Sequence, residues 1–147
     1  MSFFKGEETY SVDDKGRVNI PAKMRKVISP EANDTFVFTR GNDSCVIAYP
    51  LDEWQKHESK FKELNQYDEK NRFFLRMILK WSEEASLDKS SRIMIPKKHI
   101  KLAGINSKVT IIGMGDHIEF WEPEACEKYF SEQDESFEIV SEKVMNI

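Results

Sequence analysis

Apolar and polar positions alternate at two well-separated places in the chain. Over 17–20 the alternation sends Val18 and Ile20 to one face of a strand and Arg17 and Asn19 to the other. Over 92–95 it does the same, with Ile93 and Ile95 on one face and Arg92 and Met94 on the other. Downstream of each lie two β-prone runs around a turn. The first pair is F-V-F-T-R (36–40) and C-V-I-A-Y (45–49), joined by G-N-D-S; the second is V-T-I-I-G (109–113) and H-I-E-F-W (117–121), joined by M-G-D. Gly, Asn and Asp tolerate the positive φ of tight turns, so each pair predicts a hairpin.

Helical spacing governs the segments between. Pro21 and Pro96 suit the first position of a helix, where the missing amide is not needed. Met24, Val27 and Ile28 follow the first proline and leave Lys23, Arg25 and Lys26 exposed; the second is followed by Lys97, Lys98 and Lys101, with Gly104 as a stop. One longer helix is predicted from about Asp52 to Leu64, with Trp54, Phe61 and Leu64 on one side. Another is predicted from about Asp68 to Ser82, where Phe73, Phe74, Met77, Ile78 and Trp81 make one wide apolar face and Leu75 and Leu79 lie on other sides. That face exceeds what a small module needs to cover, so a subunit interface is expected, an intramolecular core being the alternative. Arg72, Arg76 and Lys80 recur at i, i+4 and i+8 as an exposed stripe. From about Glu132 the chain is acidic, reading as a surface helix or a partly disordered tail.

These elements repeat. Residues 12–21 read V-D-D-K-G-R-V-N-I-P and residues 87–96 read L-D-K-S-S-R-I-M-I-P. Asp13/Asp88, Arg17/Arg92, Ile20/Ile95 and Pro21/Pro96 are identical, and Tyr49 and Trp121 fall at matching places ahead of Pro50 and Pro123. Each copy has only about 45 residues, a size at which one hydrophobic core is marginal. The copies are therefore expected to complete each other's core and fold as one unit. The boundaries expected are module 1 over 7–54, a helical segment over 55–81, module 2 over 82–125 and an acidic tail over 126–147. Asp13, Gly16 and Asp88 are expected to structure the two turns, the carboxylates accepting from turn amides or from the arginines. A purely turn-fastening Asp–Arg pair is the alternative for these residues.

Net charge is -4, which at first speaks against a nucleic-acid partner. The average hides a segregation. Residues 1–30 hold six Lys/Arg against four acids, 88–108 hold six against one, and 122–147 hold eight acids against two lysines. Affinity for DNA follows local phosphate neutralisation, so basic turns on an acidic chain remain candidates, with ordinary solvated faces as the alternative. No apolar run reaches the ~20 residues of a membrane helix, and Met1–Gly6 is too short and polar for a secretory signal. Cys45 and Cys126 have neither metal-ligand spacing nor a disulfide framework, and a cytoplasmic protein is expected. His57, His99 and His117 fall in unrelated elements without an H-x-H or H-E-x-x-H pattern, and no P-loop is present. No enzyme, metal, cofactor or small-molecule substrate is expected.

The segment D-D-K-G-R-V-N-I-P-A-K-M-R resembles the signature of the SpoVT/AbrB-type DNA-binding module. Two such copies, Y-P-L-D-E-W after the first hairpin and the interposed helices resemble the MraZ family of bacterial transcriptional regulators, over residues 1 to about 130. The first signature is specific and the second degenerate. The resemblance implies an α+β, mainly β fold: a swapped-hairpin, AbrB-like barrel made by the two repeats, with interposed and C-terminal helices. It implies a homo-oligomer closed into a ring, nucleoid-associated, binding double-stranded DNA at short promoter repeats of a division and cell-wall gene cluster that includes its own gene. Lys15 and Arg17 would be the DNA-contacting pair, with Arg25 a further candidate. In the second copy Asp88 and Arg92 match, while Ser90 and Ser91 replace Lys15 and Gly16 and Lys89 stands where copy one has Asp14. Two alternatives remain. One is a ring scaffold that binds a protein instead of DNA. The other is a toxin-neutralising antitoxin, for which the tail of about 15 residues is short.

Overall fold

The first strand of each sequence copy pairs with the hairpin of the other. This is the organising feature of the computed structural model, which describes residues 2–147. Copy one supplies β1 (Glu7–Ser11), β2 (Arg17–Asn19), α1 (Ala22–Arg25), a 3-10 turn (Pro30–Ala32), β3 (Thr35–Arg40) and β4 (Val46–Pro50). Two helices follow, α2 (Leu51–Lys62) and α3 (Glu69–Lys80). Copy two supplies β5 (Glu83–Ser86), β6 (Arg92–Met94), α4 (Lys97–Ala103), β7 (Lys108–Gly113) and β8 (Ile118–Trp121), followed by α5 (Pro123–Ser131) and α6 (Phe137–Met145). The large sheet has six strands in the order β1-β7-β8-β4-β3-β5, and β2 pairs only with β6.

The register shows a pseudo-twofold axis. Val18 pairs with its repeat counterpart Ile93, and Ile47 pairs with its counterpart Glu119. Each equivalent residue thus meets its own mate at the centre of the ribbon and of the sheet. The ribbon turns Val18, Ile20, Ile93 and Ile95 into one core with Phe36, Phe38, Val46, Ile111, Ile118 and Phe120 of the sheet. Neither copy has a complete core by itself. The fold is α+β around a β core of two tandem modules. Its six-stranded sheet is open, with β1 and β5 as edges, and the ribbon packs against its apolar side. Both edges carry adjacent exposed glutamates, Glu7–Glu8 and Glu83–Glu84, whose charge opposes strand-to-strand assembly.

Local signals explain most boundaries. Asp68 caps α3 by accepting from the Lys70 and Asn71 amides, and Gly104 ends α4 at φ +66. Pro21 sits one residue before its helix, which is a single turn that buries Met24 and leaves Val27 exposed. On α3 the face expected for subunit contact is open at Phe73 and Phe74. Leu75 is the buried residue of that helix, whereas Phe73 is 65 % exposed and Leu79 is exposed as well. Phe61 of α2 comes to 5.8 Å from Phe74 of α3, edge to face. α3 packs on β3, where the Thr39 hydroxyl donates to the Ile78 carbonyl. Trp81 is half-buried against His99, with ring centroids 5.4 Å apart, and Arg40 and Lys98 lie over its ring. The acidic tail forms α6, capped by Ser136 and without a buried residue. No helix of the structure is long and apolar enough to cross a membrane.

Candidate nucleic-acid interface

The two turns that lead into β2 and β6 have the same construction. In the first, the Lys15 and Arg17 amides donate to Asp13 Oδ1 at 3.0 and 2.8 Å, and Arg17 Nε donates to Asp13 Oδ2 at 2.6 Å. In the second, the Ser90 and Arg92 amides donate to Asp88 Oδ1 at 2.8 and 2.9 Å, and Arg92 Nε donates to Asp88 Oδ2 at 3.0 Å. One aspartate therefore fastens the backbone with one oxygen and aims an arginine with the other. The amide bonds from Arg17 and from Arg92 are the largest causes that hold Asp13 and Asp88 below the usual carboxylate range, against the opposing effect of burial.

Gly16 and Ser91 complete the equivalence. Both have left-handed backbone, φ +84 and +60, and their carbonyls accept the amides of Ile95 and Ile20 from the opposite module at 2.9 and 3.2 Å. At Gly16 a Cβ would lie 2.9 Å from the Ile95 carbonyl oxygen, so only glycine fits that approach. Ser91 keeps the geometry despite the replacement. The sequence alone marks the second turn as degenerate; its backbone is not.

The two turns also lie close together. Because β2 and β6 are antiparallel about the axis, Arg17 stands beside Met94 and Asn19 beside Arg92 on the outer face of the ribbon. Arg92 Nη1 reaches within 3.9 Å of Asp13 Oδ2, an ion pair between modules. Both arginines are tethered at Nε, with side chains 30 and 33 % exposed. Among the described residues no hydrogen bond holds their Nη atoms, the edge that forks onto phosphate or guanine. Lys15 and Lys89 are exposed at the tips of the turns. Arg25 is placed differently, since its Nη1 donates to the Ile20 carbonyl at 2.7 Å and holds α1 against the end of β2. The structure thus gathers Lys15, Arg17, Lys89 and Arg92 onto one ridge, with Arg25 beneath it as a strut.

The comparison with known families now bears on this ridge. The family described as "MraZ protein, putative antitoxin-like" matches the chain twice, over residues 3–77 and again over 78–146. The chain belongs to the MraZ family. Membership places it in a regulator-like, non-enzymatic class, and the double match coincides with the repeat seen in the strand order. Within this MraZ chain the ridge holds four cations, Lys15, Arg17, Lys89 and Arg92, against the carboxylates of Asp13, Asp14 and Asp88. A ridge so nearly neutral binds phosphate weakly per chain. Outward-facing Asn19 and Met94 add a hydrogen-bonding amide and an apolar contact between the arginines, a pairing that alternation alone signals only once the β2–β6 register is known.

Proposed function

We propose that this protein is a DNA-binding transcriptional regulator that presents the outer face of the β2–β6 ribbon to double-stranded DNA. A two-stranded ribbon is narrow enough to enter the major groove, whose base edges carry a distinct donor and acceptor pattern. Arg17 and Arg92 read base edges, and Lys15 and Lys89 position the backbone through phosphates. The observation that carries this reading is the matched tethering of the two arginines by Asp13 and Asp88 about the pseudo-twofold axis. Such tethering fixes the guanidinium before contact and reduces the ordering required on binding.

One ridge per chain is a weak binder, so the protein works as a homo-oligomer, a closed ring, engaging short repeats in a promoter that includes its own gene's. Phe73 and Phe74 are exposed and available for subunit contact, with Met77 and Ile78 partly covered and Trp81 turned toward His99. The setting is the bacterial cytoplasm and nucleoid. The test is a titration of DNA from upstream of its own gene at two salt concentrations. Binding that prefers this DNA to a scrambled sequence and weakens steeply with salt is expected. The other reading, a ring scaffold for a protein partner, draws on the uncovered apolar residues of α3 and α6, and an absence of binding even at low salt would favour it.

A further inference from the structure

Arg17, Asn19, Arg92 and Met94 are the side chains that the β2–β6 ribbon turns outward, while Val18 and Ile93 point into the core. They form two rows, Arg17 beside Met94 and Asn19 beside Arg92. The pseudo-twofold axis passes between Val18 and Ile93 and exchanges repeat counterparts. It therefore exchanges Arg17 with Arg92 and Asn19 with Met94. The first exchange returns the same residue; the second does not.

The frame around these four is symmetric. Each arginine is tied to its own aspartate, and the Ile20 and Ile95 amides donate to the Ser91 and Gly16 carbonyls at 3.2 and 2.9 Å. Backbone and arginines therefore look alike from either end of the ribbon. One pair breaks the likeness. Asn19 is exposed and presents an amide, whereas Met94 is 49 % exposed and presents an apolar thioether on an otherwise polar face. The inward places on this side belong to Ile93 and Ile95, so Met94 serves no core.

We infer that Asn19 and Met94 are base-reading residues and that their difference gives the recognised site its direction. The inference rests on the DNA-binding reading above. A twofold protein face selects a palindrome, because it meets the same groups in both halves of the site. Arg17 and Arg92 alone would do so, each taking guanine through O6 and N7. The Asn19 amide donates to adenine N7 and accepts from the adenine N6 amino group, and the Met94 methyl packs on the 5-methyl of thymine. Along a strand, Arg17 and Asn19 stand roughly 7 Å apart, close to two base-pair steps of ~3.4 Å, so each meets its own base pair. The two halves of the site then differ at the bases facing Asn19 and Met94.

Selection of bound sequences from a pool of randomised duplexes, with the full chain, reads the direction first. The wild-type motif is expected to differ from its own reverse complement. Met94→Asn is expected to make the motif palindromic with adenine in both halves, and Asn19→Met to make it palindromic with thymine in both. Both positions are exposed on the ribbon, and circular dichroism is the folding control. Base analogues in the wild-type motif then test each contact. Removing the thymine methyl, as deoxyuridine, is expected to weaken wild-type binding about fourfold and to leave Met94→Ala unaffected. Replacing the adenine by 7-deazaadenine is expected to weaken wild-type binding about fivefold and to leave Asn19→Ala unaffected. A wild-type motif that is already palindromic, or a direction that survives in both exchange variants, would overturn the inference and leave DNA binding standing. So would equal losses in wild type and the alanine variants, or a folded variant that binds no duplex at all. A wild-type chain that enriches no sequence would overturn the DNA-binding reading as well.

Discussion

Gly16 and Ser91 occupy the same left-handed position in two turns, and each lends its carbonyl to an isoleucine amide of the other module. The equivalence holds although only one of them is a glycine. Their substitutions are therefore expected to act in opposite directions. Gly16→Ala sets a Cβ 2.9 Å from both the Ile95 carbonyl oxygen and Ile100 Cδ1, and is expected to destabilise by about 2–3 kcal/mol. Ser91→Gly relieves the left-handed strain at the expense of a looser unfolded chain, for a net gain of about 0.5 kcal/mol. Urea denaturation of the two variants measures both, and equal effects would contradict the close-approach account of Gly16.

The arginines carry a second prediction. Because the second turn keeps the geometry of the first, Arg92→Ala is expected to reduce sequence preference in DNA binding as Arg17→Ala does, each by about 1–3 kcal/mol. Lys15→Ala and Lys89→Ala are expected to weaken binding to all sequences and to lower the salt slope by about one each. Anisotropy titrations against specific and scrambled duplexes separate the two kinds of loss. A normal titration for Arg92→Ala would confine recognition to the first turn.

Acid is expected to destabilise the protein in two stages. Burial holds His99 below its ordinary value of 6.5, although its Nε2 bond to the Trp81 carbonyl opposes the shift. The unfolded chain therefore takes up this proton first, and stability falls as pH drops through 6.5. Asp13 and Asp88 have depressed values in the folded state. Their contribution is complete above the ordinary carboxylate value of 3.8 and is lost as pH falls below it. Thermal melts from pH 8 to 3 are expected to lose the first slope in His99→Gln and part of the second in Asp13→Asn/Asp88→Asn.

The thiols give a simpler test. Cys45 and Cys126 are both buried beside Trp121, and burial pushes Cys126 up to about 11 and Cys45 higher still. Neither is expected to react with Ellman's reagent at pH 8 in the native state, and both should react in denaturant. Prompt labelling of the folded protein would show that α5 lifts from the sheet.

Much of this was legible in the residues, for reasons that differ by element. Alternation at Val18/Ile20 and Ile93/Ile95 reports directly on which side meets the core, because the strand period is two. The D-x-x-x-R spacing placed each aspartate within reach of its arginine, since the turn brings the first and fifth residues together. Helical spacing predicts an exposed Arg25, and nothing local shows that its guanidinium closes on the Ile20 carbonyl. On α3 the face expected for subunit contact is open at Phe73 and Phe74, whereas the burial of Leu75 depends on neighbours in space that periodicity cannot locate. Ser91 hid its left-handed backbone behind a residue type that rarely adopts it.

The exchange of first strands also sets a timetable for synthesis. Thr9 pairs with Thr110, so β1 leaves the ribosome about a hundred residues before its partner β7 exists. At ~5–20 residues per second the nascent chain carries that unpaired strand for roughly 5–20 s. Glu7 and Glu8 keep it soluble meanwhile. Two chains growing side by side on one message each offer a waiting β1 to the other's newly made β7. The characteristic error of this topology is accordingly an intertwined pair of polypeptides, in which the native pairings are all made but between the wrong partners.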